Sequence, residues 1–413
     1  MPTRRNFLQA AAMAGLSLEA ASPAIAQLKS RKSEAKPIKP EERQARIAQA
    51  QKLMSEQKIN SICLAGGTSL DYFSGVRWGN SERMFIMIIP MRGEPFYIAP
   101  GFEEERAREQ ISQGNGNTHA QVFTWAEDES PYTLTAASLK ERGLLTGKLG
   151  IEENVKFVFA DSIAKAAPTA DVTSATPITA GCRMIKSPHE IALLRLASQV
   201  TLAAYEAAWK SLKEGMTQRD FSALVAAAYA QLGFQGFVSV QVGEYSALPH
   251  GSIQPQVIRE GAIILIDDGC HVEGYQSDIS RTFVLGKPTG KMKQVFDTVY
   301  KAQSAALKQA KPAVPAGSVD AAARKVIVDA GYGPAYKYFT HRVGHGLGMD
   351  GHEWPYLVKD NPLPLQAHMT FSDEPGIYIP GEFGIRLEDD MHITENGAEL
   401  LTPQSTSLEQ PFA

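Results

Sequence analysis

Cysteine is scarce in this chain. Its 413 residues hold three, Cys63, Cys182 and Cys270, odd in number and widely spaced. No disulfide framework can be built on them, so stability has to come from ordinary cores. Basic residues are not in excess: 41 Lys and Arg stand against 45 Asp and Glu, a net charge of −4. With no basic block, nucleic acid is excluded as a partner. Long apolar runs are missing too, so no segment is suited to span a membrane. Histidine is also short. There are nine, yet His341, His345 and His352 fall close together in one stretch. What remains is an ordinary globular composition, 44% hydrophobic and 21% charged, long enough for two domains with substantial cores.

The N-terminus carries an address. Thr3-Arg4-Arg5-Asn6-Phe7-Leu8 matches a twin-arginine export signal, followed by a weakly apolar stretch from Ala10 to about Leu18. Ala24-Ile25-Ala26 supplies small residues for cleavage before Gln27. The expected destination is periplasmic or secreted, by a route that moves chains already folded. The chain then divides into a signal peptide (1–26), a Lys-, Pro- and Glu-rich linker (27–42), a first domain (43–182) and a second (183–408).

Helical and strand patterns alternate through the first domain. A helix is expected from Glu42 to about Gln57, a strand at 61–65, and a hairpin of 84–89 with 95–99 about the Arg92-Gly93 turn. It holds no recognisable catalytic cluster. In the second domain, helices are expected from Pro188 through Leu212, from Gln218 to Leu232, from Lys291 to Gln309 and from Ser318 to Ala330. The apolar run Ala262-Ile263-Ile264-Leu265-Ile266 reads as a buried strand that delivers Asp267 at its end.

Five short segments concentrate the chemistry: Ile266-Asp267-Asp268-Gly269-Cys270, Gln276-Ser277-Asp278-Ile279, Gly344-His345-Gly346-Leu347-Gly348, Ser372-Asp373-Glu374-Pro375-Gly376 and Arg386-Leu387-Glu388-Asp389-Asp390. Asp267, Asp278, His345, Glu374 and Glu388 are four carboxylates and an imidazole, a donor set for hard or borderline divalent ions. Two such ions cancel four negative charges; without them the carboxylates repel and some must take up protons. The alternative for Asp267 and Asp278 is an exposed hairpin with surface acids. A carboxylate placed directly after a buried apolar strand, however, needs a partner.

In this order the segments closely resemble the pita-bread metallopeptidases, the superfamily of methionine aminopeptidase, aminopeptidase P, prolidase and creatinase. The resemblance is strong over about 183–405 and loose over 43–182. Arg183-Met184-Ile185-Lys186-Ser187-Pro188 followed by Glu190 is similar to the start of the catalytic domain in the aminopeptidase P and prolidase branch. The resemblance implies an α/β (α+β) protein: an N-terminal creatinase-like α/β domain, then a pita-bread domain with a curved antiparallel sheet flanked by helices. It implies two divalent metal ions per chain, Mn²⁺ first, then Co²⁺, Fe²⁺ or Zn²⁺. Asp267 would chelate one ion, Asp278 and Glu388 would bridge both, and His345 and Glu374 would complete the set, with Glu374 also the general base. His352 would stabilise the oxyanion, His250 would serve the leaving nitrogen, and His341 would line a proline pocket. Arg386 would offer a bidentate donor to substrate, or merely neutralise nearby acids. A homodimer or higher homo-oligomer is expected.

The implied activity is hydrolysis of X–Pro bonds, by an Xaa-Pro aminopeptidase or dipeptidase. A metal-dependent non-peptidase on a small molecule, creatinase-like or lyase-like, keeps the fold and changes the substrate. A non-catalytic binding module is the third reading; the complete ligand set argues against it. Three positions depart from the family's habit. Asp268 replaces a small or apolar residue and, on a strand, would point opposite to Asp267, supporting the site or facing the surface but not ligating. Gly351 replaces a branched apolar residue before His352. Cys270 is read as a small buried strand residue.

Overall fold

The computed structural model describes residues 22–412; Arg4 and Arg5 lie outside them. Two compact units are present. One comprises residues 37–189 with 353–355; the other comprises the remaining described residues.

The first unit is built on a six-stranded sheet. Its order is Gln121–Trp125, Phe96–Pro100, Ile86–Pro90, Ser61–Ala65, Gly147–Ile151, Ala170–Ser174. The three central strands are buried on both faces, which explains their continuous apolar runs. Ile86–Pro90 runs antiparallel to both neighbours, and the other pairings are parallel. The expected 84–99 hairpin is this antiparallel pair. Helix Pro40–Gln57 starts with Pro at its first turn and turns Arg46, Ala50 and Met54 inward. It therefore begins inside the stretch read as linker. Arg183 and Lys186 both bind Glu353, Lys186 Nζ at 2.6 Å, so this segment stays with the first unit and the division falls at 189/190.

In the second unit, helices Gln218–Leu232, Gly290–Gln309 and Ala316–Asp329 match their apolar patterns. Helix Pro188–Trp209 ends three residues before the expected Leu212. An antiparallel three-stranded sheet orders Arg281–Val284, Ile263–Asp267, Ser239–Val242. A second antiparallel set runs Gly344–Gly346, Thr370–Asp373, Asp389–Ile393, Ala398–Leu400. Gly376–Ile379 pairs with Phe383–Arg386. Residues Pro23–Ala26, at the expected cleavage position, form a helical turn with Ile25 buried, and Arg31 N–H donates to Leu232 O. Among the described residues, no helix is long and apolar enough to cross a membrane.

Candidate metal centre

The strands and the turns between them present each expected ligand. Ile263–Asp267 is held by register to Arg281–Val284, Ile266 opposite Arg281, so Asp267 is presented at the strand end. The turn at Glu273-Gly274 joins Cys270–Val272 to Tyr275–Gln276, both turn residues at positive φ. Asp267 and Asp278 flank that hairpin rather than stand on its strands. His345 is the middle of Gly344–Gly346; a Cβ on Gly344 would lie 2.0 Å from Ser372 O, so only glycine lets the backbones approach this closely. Glu374 follows Thr370–Asp373 directly, and Glu388 lies between Phe383–Arg386 and Asp389–Ile393.

The fold brings all five together. Ligand atoms of Asp267, Asp278 and Glu388 lie within 4.8 Å of one another, as do those of His345, Glu374 and Glu388, and of Asp278, His345 and His352. His345 Nε2 is 3.3 Å from Glu374 and 3.6 Å from Asp278. Its Nδ1, 3.2 Å from Gly346 O, donates there, which leaves the Nε2 lone pair for a cation. Ser280 Oγ lies 2.7 Å from carboxylate oxygens of both Asp267 and Glu388. Asp390, buried, accepts from Ser198 at 2.7 Å and from the Asp278 N–H at 3.3 Å.

The charges show that the donor set fits cations. Burial, then Asp267 and Glu374, push Asp278 well above the usual carboxylate range. Burial, then Asp278 and Glu374, do the same to Glu388. Burial also opposes ionisation of Asp267, but Arg386 outweighs it and holds Asp267 low. For Glu374, burial is outweighed by the neighbouring imidazoles of His345 and His341, which bring it down to about 2. The cluster is thus frustrated by its own charge, and divalent ions relieve it.

A pH dependence follows. In the metal-free chain, the stability contributed by protonated Asp278 and Glu388 is full below the ordinary carboxylate pKa. It is lost as pH rises through their raised folded values. Divalent ions replace those protons, and stabilise more as the protons leave. The melting temperature gained on adding Mn²⁺ should therefore be larger near pH ~8 than near pH ~5. An equal gain at both would contradict proton–metal competition at these two residues.

The remaining expected residues divide. The ring of His352 stacks on that of His345, centroids 3.6 Å apart; burial, then His345, lower it to about 4, so it is a neutral donor at pH 7. His341 has both nitrogens engaged: Nδ1 donates to Arg342 O at 2.8 Å, and Nε2 accepts from the Tyr378 hydroxyl at 2.7 Å. It offers a ring wall, not a free proton. His250 is exposed; the preceding Pro249 O accepts from Arg386 Nη1 at 3.0 Å. Arg386 departs from the substrate-donor reading. It is 3% exposed and aims inward: Nη2 at Asp267, Nε at Ser280 (2.8 Å), Nη1 at Tyr378 Oη (2.9 Å) as well as Pro249 O. It braces and neutralises the metal ligands. Asp268 also corrects its expectation. The strand ends at Asp267, and Asp268 adopts φ +99°, so simple alternation fails there. Burial, then Asp267, push its carboxyl up to about 7. Cys270 is buried as expected, its thiol 3.4 Å from Ala197 O. Ser280, Tyr378 and Asp390 were not foreseen; their only signal is proximity in sequence to Asp278, Glu374 and Glu388.

Residues 192–395 match the model of metallopeptidase family M24, and residues 46–185 match the creatinase/prolidase N-terminal domain. An Xaa-Pro dipeptidase from Lactobacillus delbrueckii subsp. lactis is 32% identical over 367 residues, 87% of this chain and 96% of that protein. An Xaa-Pro dipeptidase from Pyrococcus horikoshii is 35% identical over 358 residues, 86% of this chain and 96% of that protein. Among solved structures, dipeptidase PepE from Mycobacterium ulcerans aligns with a TM-score of 0.84 at 31% identity, covering 91% of this chain and 99% of that one.

Proposed function

Because the chain belongs to metallopeptidase family M24, we propose that it hydrolyses the peptide bond on the amino side of proline, with X–Pro dipeptides as its first substrates. The observation that carries this is the overlap of the Asp267, Asp278, Glu388 set with the His345, Glu374, Glu388 set at Glu388, in a chain similar over 87% and 86% of its length to two Xaa-Pro dipeptidases. We assign the first set to one ion and the second to another. Glu388 is common to both sets, Asp278, which also groups with His345 and His352, would be the second bridge, and Mn²⁺ is preferred for an oxygen-rich set with one imidazole. Two bound ions supply a more acidic water and polarise a carbonyl.

The chain's own residues do the rest. Glu374, ionised at neutral pH, accepts the proton of the attacking water and carries it towards the leaving nitrogen. His352, neutral and fixed by stacking, donates its N–H to the developing oxyanion. His250, on its exposed loop, meets the leaving nitrogen. His341 and Tyr378 wall the proline side, and Arg386 positions Asp267 and Tyr378.

A proline ring fills a small apolar pocket, and its amide has no N–H to leave unpaired. Matched X–Pro and X–Ala peptides test this with one metal. An apolar mismatch of about 1–3 kcal/mol in transition-state binding should appear as a higher kcat/KM on X–Pro, about 10–200-fold. Equal efficiency, or activity on neither, would favour the metal-dependent non-peptidase.

We also propose twin-arginine export, supported by Arg4-Arg5 ahead of Ala24-Ile25-Ala26. Replacing both arginines with lysine should hold the precursor in the cytoplasm; unchanged delivery to the periplasm would point to another route. A homodimer or larger homo-oligomer belongs to the same reading, and light scattering reads it directly.

A further inference from the structure

The three departures from the family pattern meet in one place. Asp268, Cys270 and Gly351 line a single cavity of about 130 Å³, together with Phe237, Gln276 and His352. Metal ligand Asp278 forms part of its wall. The cavity therefore adjoins both the metal centre and the oxyanion donor. His341 and Tyr378, on the proline side, take no part in it.

The lining sets two oxygen acceptors, from Asp268 and Gln276, beside the imidazoles of His271 and His352. Asp268 holds φ +99°, a conformation that non-glycine residues adopt only when their surroundings impose it. Here the surroundings do so. The Tyr205 hydroxyl donates to Asp268 O at 2.9 Å, the Ile279 N–H donates to the same oxygen at 3.1 Å, and the Ser239 N–H donates to the carboxylate at 2.9 Å. The carboxylate, bonded to the Ser239 N–H, stands outside the four that balance the metal ions. Gln276 spends its amide N–H on Met349 O at 2.8 Å, so its carbonyl oxygen turns towards Gly351. A Cβ at position 351 would lie 3.3 Å from that oxygen; glycine leaves it uncovered. Phe237, 60% exposed, stands at the rim with a face for an aliphatic stem or a cation. Two acceptors, an aromatic rim and no lysine or arginine among the described lining residues suit a hydrogen-bond-donating cation.

We propose that this cavity is the subsite for the side chain preceding the scissile bond, and that Asp268 makes it select a side-chain ammonium such as that of lysine. The X–Pro reading enters only in naming the bond that is cut.

Lysine–proline and norleucine–proline test it, because they differ by the ammonium group alone. Wild type should favour Lys–Pro by about tenfold in kcat/KM, the value of one charge-assisted hydrogen bond. Asp268→Asn, in which asparagine tolerates the left-handed backbone, should bring the ratio close to one, with metal content and melting temperature followed alongside. Gly351→Val narrows the cavity without touching the charge, and should lower Lys–Pro more than Ala–Pro. A wild-type ratio of one overturns the proposal. So does an equal fall on both peptides in Asp268→Asn, which would put its partner at the α-ammonium or in support of the metal ligands. Lys–Ala against norleucine–Ala separates the two readings: lost proline preference with lysine preference intact strikes the proline pocket alone. Calorimetric binding of lysine amide against norleucine amide reads the same selectivity without requiring cleavage, and equal affinities would overturn it.

Discussion

Glu374→Gln is expected to cut kcat/KM on an X–Pro peptide by on the order of 10³-fold or more, equivalent to about 4 kcal/mol of transition-state stabilisation. Two losses coincide in one substitution. Glu374 lies 3.3 Å from His345 Nε2 and shares a ligand set with Glu388, so the amide weakens one end of the metal site. It is also held down at about 2, hence ionised and ready to accept a proton at neutral pH. Glutamine keeps the shape and the Ser372 hydroxyl nearby (3.2 Å from Oε1 in the native chain) but removes the charge. A metal titration beside the kinetics separates the losses. Activity that returns fully at high metal concentration would make Glu374 a ligand only and remove it from proton transfer.

Glu388→Ala and Asp278→Ala carry the second large effect, and its sign depends on metal. Both side chains are pushed up by burial and then by like-charged neighbours. In the metal-free chain, deleting either relieves repulsion and should leave stability unchanged or slightly raised, despite the cavity left behind. With ions present the result reverses. A ligand at about 100 times its Kd stabilises the native state by about 2.7 kcal/mol per site. On the proposed assignment each carboxylate serves both ions, so losing one removes most of that gain at both sites. Melting curves with and without Mn²⁺ test this: a large metal-induced shift is expected in wild type and a small one in either variant. A variant retaining the full shift would not have lost a shared ligand.

The five ligands were legible because each has a strong local context. Asp267 terminates four buried apolar residues, His345 is flanked by glycines, and Glu374 precedes Pro-Gly. Helices such as Gln218–Leu232 were legible from periodicity and their caps; there Thr217 and Asp220 form a capping box. The direction of Arg386 and the backbone turn at Asp268 were not legible, for related reasons. The direction of a long guanidinium depends on acceptors that are distant in sequence, here Asp267 and Pro249. Alternation along a strand cannot foresee a chain that breaks at Asp267 and turns through positive φ. Ser280 and Asp390 escaped notice because a serine and a third consecutive acid carry no pattern until the fold sets them against the ligands.

Elemental analysis of the protein after loading with Mn²⁺ and removal of free metal tests the central claim most directly. The account predicts about two divalent ions per chain, both reduced in Glu388→Ala. No bound metal under any loading condition would contradict it.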